Sequence, residues 1–415
     1  MSDRIIYLVI TLFSSAVIVR YLGAEQYGTL SIALSFIALI TPVVRLGIDQ
    51  IAIRALLGDT AAPGTVLGTT LILRLVACLI LVPPLILIAY RLYPTQPEIG
   101  IITAILSIGL IFDSLSFIDL WNQAHLHSAH TVWARNIAFF ASTTLKLLAV
   151  YLQMPLVVFG ALYALDFVIS FVALTLIDRK RREQKITLRW DRKFAKELIS
   201  MSFPLLLSAV AISVYMRIDQ VMLSVLANDS AAVGVYSVAV RLSEMWYFIP
   251  TAIVSSLLPS ILLMKKNASS LYHVRLQRLF NLMAFITYMI ALPITILAPF
   301  IIEVLYGVEF ADAAPQLIIL TWTGLWVALG VARGAILLAE ELVIISTIGT
   351  ILGALVNIFL NFLLIPIYGG LGCAVATFIS YSLSAWLSSF ISPRSASFGL
   401  MQLKAIVFPN PLRKQ

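Results

Sequence analysis

The sequence contains little charge and almost no cysteine. Of its 415 residues, 12% are charged, 61% are hydrophobic and two are cysteines, Cys78 and Cys373. Both cysteines lie inside apolar runs far apart in the chain, so a disulfide framework or a cysteine-bound metal has no support. A chain with this apolar fraction cannot hide its hydrophobic residues in a soluble core. The composition therefore predicts an integral membrane protein.

Motifs for nucleotide or metal chemistry are also missing. The sequence has no GxxxxGK[ST] run, no HExxH run and no Cys/His cluster with metal-ligand spacing. His125, His127 and His130 crowd one predicted cytoplasmic turn, where an interfacial position is favoured over a metal site. The loops predicted outside the membrane are too short for a catalytic domain. We therefore expect no enzyme activity, no cofactor, no metal and no catalytic residue.

Apolar segments recur along the whole chain. A window of about 20 residues, the length that crosses a bilayer, predicts twelve helices in two sets of six. The first set lies near residues 5–22, 27–47, 66–90, 99–121, 131–152 and 156–177. The second lies near residues 203–226, 233–262, 279–304, 315–338, 342–366 and 371–391. Gly234, Ser237 and Ala239 repeat the spacing of Gly28, Ser31 and Ala33, which indicates two related halves.

These segments divide the chain into four parts. We predict an N-terminal six-helix lobe at 1–177, a basic cytoplasmic linker at 178–202, a C-terminal six-helix lobe at 203–391 and a cytoplasmic tail at 392–415. Because lysine and arginine concentrate in the linker, the tail and the loop near residue 265, both termini are predicted to be cytoplasmic. The same pattern accounts for the net charge of +8 without nucleic acid. Trp190, Phe194 and Leu198 form one apolar stripe in the linker, which fits either an interfacial helix or a solvated segment.

Charged residues also occur well inside two apolar helices of the second half. Arg217 and Asp219 lie in the first of these helices, and Arg241 and Glu244 lie in the second. Ionisable groups at such depth are costly in a bilayer, so a functional pathway is the first hypothesis for them.

Several segments resemble one known family in the order expected for it. They are RYLGAEQYGTLSIALSF from Arg20, LGIDQIAIR at 46–54, RIDQVML at 217–223, VGVYSVAVRLSE at 233–244 and NFLLIPIYGGLGCAVATFISY at 361–381. Together they resemble Wzx-type polysaccharide repeat-unit flippases. Members of that family have a longer lead-in before the first helix, so the start of helix 1 is the least defined boundary.

The resemblance implies a fold, a cargo and a location. The fold is an all-α, V-shaped bundle of two six-helix lobes, as in the multidrug, oligosaccharidyl-lipid and polysaccharide exporter superfamily. The cargo is an undecaprenyl-diphosphate-linked oligosaccharide, moved from the cytoplasmic to the outer leaflet of the plasma membrane for O-antigen, capsule or exopolysaccharide assembly. A polysaccharide polymerase and other assembly proteins are the implied partners, besides membrane lipid. Alternatives are export of drugs or of a peptidoglycan precursor lipid, and a membrane enzyme of polysaccharide assembly.

A diphosphate cargo requires cations along its path. The candidates for the head-group site are Arg74, Arg217 and Arg241. The candidate counter-ions, or proton or sodium sites, are Asp113, Asp166, Asp219 and Glu244. Structural roles compete with these: Arg241 and Glu244 are i, i+3 neighbours that can neutralise each other, and Lys146 and Arg333 lie near helix ends, where long side chains reach the interface.

Overall fold

The computed structural model describes residues 2–58, 61–125, 128–181, 187–267 and 269–410. These residues form α-helices and short 3-10 turns, with no strand among them. Contacts between Cα atoms divide the chain into two compact units. We call residues 9–221 the N-terminal unit, and residues 222–415 together with 1–8 the C-terminal unit.

Helices α1 to α8 provide the N-terminal unit, apart from the first residues of α1 and the last residues of α8, which belong to the C-terminal unit. Their bounds are α1 (Ser2–Arg45), α2 (Asp49–Leu57), α3 (Pro63–Leu92), α4 (Pro97–Leu115), α5 (Ile118–Ala124), α6 (Ser128–Tyr151), α7 (Leu156–Arg181) and α8 (Arg192–Ala227). Within the unit α7 packs against both α4 and α6, and α4 also packs against α3. Short helices α2 and α5 pack against each other beside α3, so two non-spanning elements lie together on the ends of the long ones.

Helices α9 to α15 provide the C-terminal unit. Their bounds are α9 (Ser230–Glu244), α10 (Phe248–Asn267), α11 (Ser269–Tyr306), α12 (Ala313–Ala339), α13 (Val343–Tyr368), α14 (Gly370–Ala385) and α15 (Pro393–Val407). Two 3-10 turns, Val308–Phe310 and Leu387–Ile391, interrupt the series. The central helix α12 packs against α9, α11 and α14, and its buried leucines and alanines join the largest hydrophobic cluster of the unit.

Ten segments among the described residues are long and apolar enough to cross a membrane. One of them, Tyr7–Leu57, has 51 residues, more than twice the length that spans a bilayer. It breaks at Gly23, whose φ of 70° and ψ of 176° are open only to glycine without strain. Helix α6 is not among the ten but is 24 residues long. Counting α6 and both parts of α1 gives the predicted twelve, and the all-α membrane fold is confirmed.

For the linker between the predicted lobes, where the sequence left an interfacial helix and a solvated segment open, the described residues contain both irregular chain and helix. Residues 187–191 have no regular secondary structure, and α8 then begins at Arg192 and continues into the membrane segment. Asp191 starts the helix because its carboxylate accepts hydrogen bonds from the N–H groups of Lys193 and Phe194, at 2.8 and 2.9 Å. Phe194 and Leu198 of the stripe thus lie in the first turns of α8, where Leu198 is buried, whereas Trp190 precedes the helix and is exposed.

Residues 187–191 of the linker lie against α3. Arg189 N–H donates to Gly64 O at 2.9 Å, and Asp191 N–H donates to Thr69 Oγ1 at 3.2 Å. A Cβ atom on Gly68 would lie 2.5 Å from Arg189 O, so this approach requires glycine. We call residues 187–191 the strap.

The predicted tail also contains a helix. Helix α15 is packed into the C-terminal unit, where Phe398 and Ala405 join the hydrophobic cluster and Gln402 is fully buried. Side chains of α11 bind its backbone: Gln277 donates to Met401 O and Tyr288 donates to Ile406 O, each at 2.9 Å. Residues 393–407 are thus part of a packed unit. The lobe boundaries predicted from the sequence stay a prediction.

Candidate functional site

A network of ion pairs lies where α1, α2, α3 and α4 of the N-terminal unit meet. Helix α1 ends at Arg45, Leu46 and Gly47 turn the chain with positive φ angles of 55° and 63°, and α2 begins at Asp49. Arg45 binds Asp113 of α4 with two prongs, from Nε to Oδ2 at 2.9 Å and from Nη2 to Oδ1 at 2.7 Å. This planar geometry is the strong form of the arginine–carboxylate contact.

Asp49 joins a second arginine to the network. Arg45 Nη1 lies 4.0 Å from Asp49 Oδ2, and Arg74 of α3 binds the other oxygen of Asp49 through Nη2. The Arg74 side chain is 5% exposed, whereas that of Asp49 is 32% exposed. Arg74 therefore owes its place in the apolar interior to Asp49, because an unpaired buried charge is strongly unfavourable.

A third ion pair lies beside the same cavity. Arg135 of α6 donates to Asp119 of α5 at 2.9 Å. The three pairs line one cavity of about 130 Å³, together with polar residues that include Thr131 and Ser170. The lining thus carries three arginines and three aspartates, and its formal charge is zero. Protonating any of these aspartates would release an arginine for another anion, which is the chemistry that this arrangement offers.

Lys146 and Asp166 form a separate pair in the same unit. Lys146 Nζ lies 3.4 Å from Asp166 Oδ2 and 3.8 Å from the centre of the Tyr163 ring. Lys146 is only 6% exposed, so it does not extend to the interface as its position near a helix end suggested. Asp166 is thus paired with Lys146 in the structure, it lies outside the cavity lining described above, and its assignment as counter-ion or coupling site stays a prediction.

The remaining candidates lie in both units. In the N-terminal unit, Asp219 of α8 is buried and Arg217 is half-buried. In the C-terminal unit, Arg241 and Glu244 at the end of α9 are both half-buried. None of the four is without a partner. Their assignment to a head-group site and to ion coupling stays a prediction.

The sequence therefore identified part of the network. Arg74 and Asp113 were candidates, and the structure brings them to one cavity. The sequence analysis missed Arg45, Asp49, Asp119 and Arg135. A signal existed for Arg45 and Asp49, because the helix break at Leu46 and Gly47 within LGID places these two charges beside the same helix end. Their partners are up to 68 residues away, beyond any local pattern.

In the described part of the histidine cluster, His125 lies at the end of the Trp-containing helix α5. The His125 ring stacks on Trp121 with centroids 3.7 Å apart. No group of three metal-binding side chains occurs among the described residues, and His127 lies outside them.

Comparison with known proteins assigns both family and fold. A family model described as polysaccharide biosynthesis protein matches residues 5–265. No curated protein matches the chain. Among solved structures, an inward-facing multidrug resistance MATE family transporter of the MOP superfamily is 15% identical, with a TM-score of 0.71 over 96% of this chain and 95% of that one.

A second solved structure is the lipid II flippase MurJ in an inward closed conformation. It is 16% identical, with a TM-score of 0.67 over 98% of this chain and 91% of MurJ. A MATE transporter in a bent conformation is 15% identical, with a TM-score of 0.61 over 98% of this chain and 94% of that one. The fold is that of these transporters, and the chain belongs to the polysaccharide biosynthesis protein family.

Proposed function

We propose that this protein moves undecaprenyl-diphosphate-linked oligosaccharide repeat units from the cytoplasmic to the outer leaflet of the plasma membrane. The product would supply O-antigen, capsule or exopolysaccharide assembly, with a polysaccharide polymerase as a downstream partner. The observation that carries the proposal is the polysaccharide family match on a chain with an exporter fold. The fold relative MurJ is itself described as a lipid II flippase, so a lipid-linked cargo suits this architecture.

The diphosphate head group is the costly part of such a cargo. It carries about two negative charges, and an isolated ion costs several kcal/mol in a low-dielectric region. We assign Arg217 and Arg241 to the head-group site, because arginine contacts phosphate oxygens with two prongs. Arg74 is paired with Asp49 in the structure, so it can contact the head group only after that ion pair breaks.

Acidic residues are assigned to coupling. Asp113, Asp166, Asp219 and Glu244 act as counter-ions or as proton or sodium sites in this proposal. A membrane potential that is negative inside favours outward movement of an anion by about 2.3 kcal/mol per charge per 100 mV. Protonation at Asp113 would weaken its hold on Arg45 and so connect the charge network to the transport cycle.

Two other cargoes fit the same fold. The MATE structures belong to multidrug transporters, and MurJ belongs to a lipid II flippase. Export of drugs or of a peptidoglycan precursor is therefore the second candidate, ahead of a membrane enzyme of polysaccharide assembly.

Complementation of a strain that lacks its own repeat-unit flippase tests the proposal. The wild-type chain should restore surface polysaccharide, and Arg217→Ala and Arg241→Ala should each reduce it at matched membrane abundance. Lysine at either position should reduce it less. Arg394→Ala changes an exposed arginine of α15 and should behave as wild type.

Each failure has a distinct meaning. If the wild-type chain does not restore polysaccharide but lowers drug accumulation in an efflux-deficient strain, the cargo assignment is wrong. Full polysaccharide from both alanine variants would leave the cargo in place and remove the two arginines from its path.

A further inference from the structure

Arg333 is a buried cation without an acidic partner in the described part of the chain. It lies in α12 and is 2% exposed. Its Nη1 donates to Ser384 O at 3.3 Å. Its Nε and Nη2 have no hydrogen-bond partner among the described residues, and none of the ion pairs found there includes it.

Arg74 provides the comparison within the same chain. Both arginines are almost completely buried, at 4% and 2% exposure, but Arg74 has Asp49 beside it and Arg333 has only a backbone carbonyl. A buried charge without a counter-charge is unfavourable. A residue that keeps such a charge, despite its cost to the fold, is a candidate for binding an anion.

The two unused nitrogens of Arg333 form one edge of its guanidinium. Nε–H and one N–H of Nη2 point in the same direction, which matches two oxygens of a phosphate or carboxylate group. The hydrogen bond from Nη1 to Ser384 fixes the plane of the group from the other side.

Helix α15 bridges α12 and α14 on the Ser384 side of Arg333. Gln402 Nε2 donates to Leu329 O, one turn before Arg333 in α12, and to Ala385 O, adjacent to Ser384 in α14. Gln402 is fully buried. The position of Arg333 is therefore enclosed on this side by a helix that side-chain hydrogen bonds hold in place.

We propose that the Nε–Nη2 edge of Arg333 binds a phosphate oxyanion inside the C-terminal unit. Its source is either inorganic phosphate or, given the function proposed above, the diphosphate of the lipid-linked cargo. The binding itself does not depend on which cargo the protein moves.

Thermal unfolding of the purified protein in detergent tests this. At equal pH and ionic strength, sodium phosphate should raise the Tm above its value in sodium chloride, by about 2 °C at ten times the Kd. Chloride is a single acceptor centre of one charge, so it matches the two parallel N–H groups less well than two oxygens of a phosphate group do. A parallel series with undecaprenyl diphosphate identifies the source, since a shift at lower concentration than with inorganic phosphate indicates the lipid head group. A shift with inorganic phosphate alone indicates the free ion.

The variant Arg333→Met separates a binding role from a structural one. In chloride its Tm should exceed that of the wild type, because an apolar chain of similar length replaces an unpaired buried charge. It should also lose the phosphate-dependent shift. Arg394→Met, which changes an exposed arginine of the same unit, should keep the wild-type Tm and the full shift.

Two results would overturn the proposal: equal wild-type Tm in phosphate and chloride, or an undiminished phosphate shift in Arg333→Met. Should the methionine variant fail to fold, Arg333→Lys decides, because lysine keeps the charge but lacks the parallel N–H pair. We expect it to bind phosphate roughly tenfold more weakly, and unchanged affinity would exclude the site. The polysaccharide assay plays no part here, so a wrong cargo assignment leaves these results interpretable.

Discussion

The ion pairs of the N-terminal unit differ in how far their side chains are shielded from solvent. Arg74 is 5% exposed against Asp49 at 32%, whereas Arg135 is 64% exposed against Asp119 at 15%. Removing one partner of a buried pair leaves an uncompensated charge, and this costs far more than losing a pair that water and salt already screen.

Arg74→Met should therefore destabilise the protein by about 3 kcal/mol, the low end for a buried pair, because Asp49 is partly exposed. Arg135→Met should cost no more than about 1 kcal/mol. Unfolding of the detergent-solubilised variants, followed by tryptophan fluorescence, gives both values.

The double variant Arg74→Met with Asp49→Leu tests the cause. Because it removes both charges, it should recover most of the lost stability. A double variant as unstable as Arg74→Met alone would mean that Arg74 contributes through packing and not through its charge.

Single charged residues were visible in the sequence, but their partners were not. Arg74 and Asp113 stood out because each interrupts an apolar run. Their partners Asp49 and Arg45 lie 25 and 68 residues away and become neighbours only when four helices assemble. From its position near a helix end, Arg333 was interpreted as a residue that reaches the membrane interface. It is buried instead, because position along a helix does not reveal which elements pack against a side chain.

Among the secondary-structure elements, α3 shows how closely the strap approaches a helix. Arg189 O would lie 2.5 Å from a Cβ atom on Gly68, and overpacking of this kind costs about 1–3 kcal/mol. Gly68→Ala should therefore lower the Tm. Gly334→Ala is the matched control, since it adds the same methyl group to a helix where the space is free, and it should keep or raise the Tm. Equal changes in the two variants would mean that the strap does not rest on α3 in the folded protein.

Helix α15 shows where sequence patterns are weak. Its buried residues include Ser395, Gly399 and Gln402, so its inward face does not form an apolar stripe. For this reason the sequence predicted a cytoplasmic tail here and not a packed helix. Deleting residues 393–415 exposes the cluster around Phe398 and leaves Gln277 and Tyr288 without their backbone acceptors. We expect this deletion to reduce membrane abundance severely, whereas deleting only 411–415 should not. Immunoblots of isolated membranes compare the two, and equal amounts would show that α15 is dispensable for folding.

For the whole molecule, the sequence was sufficient to predict the class, an all-α membrane protein. Hydropathy over 20 residues is a local quantity, and the long helices of the structure coincide with the predicted segments. Their ends were predicted less well where a helix continues without an apolar signal, as α8 does from Arg192.

The predicted topology can be measured on a chain without its native cysteines. Cys78 and Cys373 are both buried, so alanine can replace them. Single cysteines at the exposed positions Asn228 and Val308 should then react with an impermeant maleimide added to intact cells, whereas a cysteine at Asn267 should react only after lysis. Reaction at Asn267 in intact cells would invert the map and place both termini outside.

The strap has a consequence for how the sequence tolerates change. On the strap, its attachment uses only the backbone N–H groups of Arg189 and Asp191, which every residue except proline supplies, and the acceptors on α3 are the Gly64 carbonyl and the Thr69 hydroxyl oxygen. In a saturation mutagenesis screen, Arg189 should therefore accept most side chains, whereas Gly68, which contributes no side-chain atom at all, should accept almost none. The number of positive charges in the strap can therefore change, as the charge bias that orients helices in a membrane requires, without changing the contact between the strap and α3.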